Sequence, residues 1–173
     1  MSYKAVTKTL TYQTKHRLEF INITPEVDLF VADSGVQTGT LALQTHHTTC
    51  GLWVNEDEPN LIGPSSTLGY IPDLQRVLDR FAHPAETYGH NDIRDVNNPE
   101  GKRHTHLCVP DENGVSQECV NGHAHAQGLI IPSYLTLIIE RGQVIRGVWQ
   151  QILLVELDHD RTRTLTMLAQ GEV

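Results

Sequence analysis

Thr38-Gly39-Thr40-Leu41-Ala42-Leu43-Gln44-Thr45-His46-His47-Thr48-Thr49-Cys50-Gly51-Leu52-Trp53-Val54-Asn55-Glu56 sets the architecture. Thr38 to Thr45 has the pattern of a strand and runs into a polar stretch with two histidines. Leu52 to Glu56 reads as the continuation of that strand or its partner. Upstream, Tyr3 to Thr11 is rich in β-branched residues and reads as a strand. Leu18 to Ile23 alternates and is expected to pair with it. Thr24-Pro25-Glu26 then opens a helix, with a capping hydroxyl, proline in the first turn and an acid at the positive dipole end. That helix should stop near Gly35.

Downstream, Pro59 to Gly69 is loop-like, with Gly63-Pro64-Ser65-Ser66 as its break. Apolar residues at 71, 74, 77, 78 and 81 predict an amphipathic helix over Ile71 to Phe81, closed by His83-Pro84. From Ala85 to Gly122 the chain is one long polar loop, of the kind that carries function. Ser133 to Glu140, Val144 to Ile145, Trp149 to Leu157 and Thr162 to Ala169 follow as strands, with Arg141-Gly142 as a hairpin turn. The 173 residues are read as a single α+β domain.

Composition excludes several classes. Hydrophobic residues make up 39% and charged residues 20%, so neither disorder nor a membrane class is indicated. No apolar run approaches a spanning length and no secretion signal opens the chain, so a cytoplasmic location is expected. A net charge of −8 opposes general nucleic-acid binding. Cys50, Cys108 and Cys119 are an odd number without an export signal, which favours reduced thiols over a disulfide framework.

Ten histidines draw attention, because neutral imidazole is the commonest metal ligand. His46 and His47, as strand neighbours, would point to opposite faces. One could line a pocket, with Thr48 and Thr49 hydroxyls to hold an oxyanion; a polar strand end with incidental imidazoles is an equal reading. Tyr88-Gly89-His90-Asn91-Asp92 taken alone is an ordinary polar turn. Asn121-Gly122-His123-Ala124-His125 reads as a helix start, where residues two apart are turned about 200° from each other. Only one of the two rings could then face a site, and His125 is preferred. His104-x-His106-x-Cys108 with Cys119 offers four donors for a structural zinc, in a spacing that matches no known knuckle. Cys50 beside His47 could be a nucleophile, though a small buried thiol is the commoner fate. Trp149 reads as a packing residue. No phosphate-binding glycine loop or nucleophile elbow appears.

The run from His47 to Glu56 resembles the His-Thr-Thr-(Ala/Cys)-Gly pattern, ending in Asn-Glu, of the YjbQ-like proteins. Tyr88-x-His90-Asn91-Asp92, Asn121-Gly122-His123-Ala124-His125, Gly147-x-Trp149-Gln150-Gln151-Ile152 and Val155-Glu156-Leu157-Asp158 follow in that family's order. The match runs from about Tyr3 to about Leu168. The resemblance implies an α+β fold around a strongly bent, mostly antiparallel sheet with a few helices packed on it, assembled as a homotrimer. It implies a three-histidine metal site, carried onto His47, His90 and His125, with Asn55 and Glu56 bordering the pocket. His123 aligns where relatives vary. It also implies a thiamine-phosphate synthase activity, joining a pyrimidine diphosphate to a thiazole phosphate, regarded as a side reaction. Two departures stand out: a longer, histidine-rich loop over Asn98 to Val120, and His159-Asp160 in place of Gly-Pro before Arg161.

The resulting expectation is a divalent ion, zinc first, on three imidazoles with an open position. Thr48, Asn55 and Glu56 are the candidate catalytic residues, Glu56 as general base or as a hydrogen-bond acceptor behind the metal ligands. Arg146, Arg161 and Arg163 are the candidates for binding the phosphate of a small phosphorylated substrate. The alternative is a non-catalytic, homotrimeric module that binds a metal or a metabolite.

Overall fold

The computed structural model describes residues 2–94, 99–104, 108 and 119–173, with only the backbone at His104. The elements in order are β1 (Tyr3–Gln13), β2 (Phe20–Asn22), α1 (Thr24–Ser34), β3 (Thr38–Thr45), β4 (Cys50–Asn55), α2 (Pro59–Ile62), α3 (Ser65–Leu68) and α4 (Asp73–Phe81). A 3-10 turn (Gly89–Asn91), β5 (Ile93–Arg94), β6 (Arg103–His104), α5 (Gly122–Gln127), β7 (Tyr134–Glu140), β8 (Gln143–Val144), β9 (Gln151–Glu156) and β10 (Thr162–Glu172) follow. The fold is α+β: a curled antiparallel sheet in one domain, with few helices.

Five strands in the order β1-β10-β3-β7-β8 form one sheet, and β2-β9-β4 form another. β2 therefore pairs with β9 and not with β1, which pairs along its whole length with β10. The chain-neighbour pairing expected for β1 and β2 loses to an eleven-residue ladder between the two ends of the chain. β3 and β4 likewise belong to different sheets: β3 lies between β10 and β7, whereas β4 pairs with β9.

β9 sits at the centre because its residues are buried on both faces. Ile152 and Leu154 enter the main core with Val27, Phe30 and Val31 of α1 and with Leu41, Leu43, Leu165 and Met167. Leu153 and Val155 face the other way, into a second core with Leu78 of α4, Ala124 of α5 and Ile131. β10 alternates buried and half-exposed residues, as a strand with one face on the core should.

Local expectations hold with adjustments. α1 ends at Gly35, whose φ of 77° is cheap only for glycine. At its start the N-cap position is Ile23, the Asn22 side chain accepts the Thr24 N–H at 3.0 Å, and the Thr24 hydroxyl accepts the Ile152 N–H at 2.8 Å, tying the helix to β9. Pro59 to Gly69 is not all loop; it holds the two short helices α2 and α3. Arg141 and Gly142, with φ of 55° and 75°, make the two-residue turn between β7 and β8. Trp149 is not a packing residue, since 71% of it is exposed. Among the described residues no helix is long and apolar enough to cross a membrane.

Candidate functional site

The turn from β3 to β4 is fixed from behind by a buried ion pair. Arg163 and Glu156 are 3% and 0% exposed at their side chains and bonded through both carboxylate oxygens. Arg163 also donates to the Thr49 hydroxyl at 3.2 Å, and Thr14 and the Asp158 N–H donate to Glu156 at 2.9 Å each. The carboxylate is thus fully partnered, as a buried charge must be. On this base His46 and His47 diverge. The exposed His46 ring meets the Thr166 hydroxyl at 2.9 Å, while His47 Nε2 accepts the Thr164 N–H at 2.8 Å.

The two other histidine motifs are joined by their small and polar residues. Asn91 Oδ1 accepts the Gly122 N–H at 2.9 Å, which secures the first turn of α5 to the 3-10 turn carrying His90. Gly122 lies so close to Tyr88 that a Cβ there would sit 2.4 Å from the Tyr88 Cβ. This contact brings the His90 and His125 rings to a centroid separation of 4.4 Å, edge to face. His123, two residues back on α5, points inward: it is 5% exposed and lies 6.5 Å from the Tyr88 ring.

His125 also shares a cavity of about 280 Å³ with His47, lined besides by Thr48, Cys50, Leu129 and Ser133. His125 is therefore the hub, beside His90 on one side and across the cavity from His47 on the other. All three rings have pKa values below the usual 6.5, so they are neutral at pH 7. Burial is the main cause for each; Arg163 and then His46 add to it at His47, and Arg103 adds to it at His90 and His125. Cys50 is no nucleophile: burial and the Glu156 charge push its thiol up to about 12.

Three expectations need correction. Asn55 and Glu56 do not border this cavity within the chain. They lie at the far end of β4 from Cys50, roughly 17 Å along the strand, where the Asn55 side chain accepts the Glu56 N–H. Within the chain Glu56 is therefore not beside His47. Each candidate phosphate arginine already holds a carboxylate: Arg163 with Glu156, Arg161 with Asp158 and Arg146 with Asp28. Cys108 and Cys119 are not reduced thiols but a disulfide, which also removes both sulfurs from a zinc site with His104 and His106. His106, the His104 side chain and most of the Asn98 to Val120 loop lie outside the described residues.

Arg103 escaped the sequence reading. Its Nη1 is hydrogen-bonded to His90 Nε2, and its Nη2 donates to the Cys119 carbonyl at 3.0 Å. A basic residue just before the His104-x-His106 pair was the available signal. Among the described residues no three His, Cys, Asp or Glu side chains lie close enough together to hold one ion as they stand.

Residues 8–172 match the family described as UPF0047 protein YjbQ-like. The chain belongs to the YjbQ-like family. Among YjbQ-like relatives, the UPF0047 protein YugU of Bacillus subtilis is 27% identical over 164 residues, covering 95% of this chain and 98% of that one. A UPF0047 protein of Methanothermobacter thermautotrophicus is 24% identical over 166 residues, covering 96% and 92%. A YbjQ-like protein of unknown function from Sulfolobus solfataricus superposes with a TM-score of 0.75 at 24% identity, covering 99% of this chain and 100% of that one. A hypothetical protein from Aeropyrum pernix gives 0.73 at 27% identity, covering 96% and 99%. The YjbQ-like fold thus spans nearly the whole chain.

Proposed function

We propose that this YjbQ-like protein is a metal-dependent enzyme acting on a small, phosphorylated molecule, with His47, His90 and His125 as ligands of a divalent ion, zinc first. The observation that carries the reading is the placement of His125 beside His90 and across one cavity from His47. The donor set suits zinc: three imidazoles, all neutral at pH 7 with a lone pair each. Two rings sharing a tetrahedral zinc have centroids about 5 Å apart, close to the His90–His125 separation of 4.4 Å. Loading the ion requires His47 and His90 to give up the N–H donors of Thr164 and Arg103. An ion there would supply Lewis acidity toward a phosphate or carbonyl oxygen, or an acidified water.

The chain's own groups have separable tasks. Thr48, on the cavity wall, offers a hydroxyl to a substrate oxygen. Arg103, once off His90, is the guanidinium nearest the rings and suits a phosphate. Leu129 and Ile131 give the cavity an apolar side. The coupling of a pyrimidine diphosphate to a thiazole phosphate is the first reaction to assay.

A homotrimer is part of the reading. Val148, Trp149, Ile145, Ile138 and Tyr134 leave a large apolar area exposed around β7 and β8, more than a monomer tolerates comfortably. Among the described residues no strand pairs with the outer edge of β7 at Tyr134 to Leu137. Light scattering on the purified protein should return three copies, and Trp149→Ser should lower that number.

The decisive experiment is zinc and cobalt titration of chelator-treated protein, with His47→Ala, His90→Ala and His125→Ala compared singly. One ion per chain, weakened at least about tenfold in each folded variant, supports the site. Unchanged affinity in the variants overturns it. Stoichiometric binding with no turnover of any phosphorylated substrate favours the non-catalytic binding module instead.

A further inference from the structure

We infer that the Cys108–Cys119 disulfide is a redox gate on the histidine cluster, holding Arg103 over His90 when oxidised and releasing it when reduced. Its consequence for metal rests on the proposed three-histidine site, but the gate itself can be read on His90 alone.

The geometry converges on one guanidinium. Arg103 Nη1 is hydrogen-bonded to His90 Nε2, Nη2 donates to the Cys119 carbonyl at 3.0 Å, and the same Nη2 lies 3.5 Å from Cys108 Sγ. Among the described residues, two of these partners belong to the two halves of one disulfide. Cys108 and Cys119 are buried against Ile93, and Ile93 pairs with Arg103 itself in the short parallel ladder of β5 and β6. Cys119 stands just ahead of Asn121 and Gly122, which open the helix carrying His125. The bridge therefore ties Cys108 to Cys119, whose carbonyl is the acceptor of Arg103 and which leads into the helix carrying His125.

In this state Arg103 occupies the lone pair that a metal would need and places a positive charge beside it. Both effects oppose a cation at His90. Reduction breaks the S–S bond. With a phosphine reductant, two thiols form while the phosphine takes the oxygen of one water as its oxide, and the water's two protons end on the sulfurs. Cys108 and Cys119 are then free to separate, Arg103 loses the paired acceptors, and His90 Nε2 becomes open.

The test compares the oxidised protein, the protein treated with tris(2-carboxyethyl)phosphine, and the variants Cys108→Ser/Cys119→Ser and Arg103→Ala. The first readout needs no metal: acylation of His90 by diethyl pyrocarbonate, followed by mass spectrometry of its peptide. The rate should rise several-fold on reduction and stay high, with no redox dependence, in both variants. The second readout is cobalt affinity by competition, which should rise about tenfold in the same three samples over oxidised protein. The double serine variant has no thiols there, so a gain in it cannot come from cysteine ligation. Should that variant fail to fold, Arg103→Ala and reduced wild type still decide. Equal His90 acylation in oxidised and reduced protein overturns the gate, whatever metal does. Acylation that changes while no form binds cobalt leaves the gate standing and overturns the metal reading instead.

Discussion

The two ends of β4 sit in opposite surroundings. At the Cys50 end the backbone is buried, Thr49 is bonded to Arg163, and a fully partnered Glu156 stands opposite Cys50 in the ladder. At the Asn55 end the partners are polar side chains nearer the surface: Asn22 donates to Asp57 and Gln151, and the Asn55 side chain accepts its neighbour's N–H. Ten residues that read as one continuous motif are split by strand geometry into a buried support for the histidines and a solvated far end. Adjacency in a strand is distance in space.

The sharpest way to break this comparison is to remove the support. Glu156→Ala leaves Arg163 buried and unpaired, and should destabilise the fold by about 3–5 kcal/mol in urea unfolding. A loss below about 1 kcal/mol would make the Cys50 end no different from its opposite. Gly122→Ala forces a Cβ onto Tyr88 and should cost about 1–3 kcal/mol by the same measurement. Adding Tyr88→Ala should restore part of that loss if the contact is what joins the two histidine motifs.

Acidification should act mainly at the histidine end. His47, His90, His123 and His125 all have folded pKa values below 6.5, with burial the main cause. The unfolded chain then binds protons first as pH falls through and below about 6.5, so stability is full above that pH and declines beneath it. The melting temperature should drop by a few degrees between about pH 7.5 and pH 5.5; a rise would contradict the neutral assignment. The smallest effects belong to the far end. Asn55→Ala and Glu56→Gln should stay within about 0.5 kcal/mol of wild type and leave cobalt affinity unchanged. A Glu56→Gln defect in metal binding as large as that of His125→Ala would erase the distinction between the ends.

Elements with local punctuation were legible without coordinates. Pro25 and Gly35 bracket α1, Arg141-Gly142 turns β7 into β8, and the 71–81 periodicity marks α4 nearly to the residue. Pairing was less legible. The β1–β10 ladder joins segments at opposite ends of the chain, and nothing in Leu18 to Ile23 says that its partner is β9. At the candidate site, His47, His90 and His125 stand out as residue types, yet their approach depends on Gly122 fitting against Tyr88, a steric fact with no pattern of its own. Parity of cysteines pointed to free thiols because it counts the chain as a whole, while Cys108 and Cys119 pair locally and leave Cys50 alone in the core. Arg103 left only a weak signal for a similar reason: a single basic residue in a polar loop acquires meaning from what it touches.

β9 carries one more implication. A strand that is apolar toward both cores lacks the usual penalty against sliding by one residue, since Ile152, Leu153, Leu154 and Val155 are nearly interchangeable in oiliness. Glu156 supplies what they cannot. Shifted by a single step, its carboxylate would turn away from Arg163 and enter the opposite interior, so one buried charge serves as the alignment key for the innermost strand of the molecule.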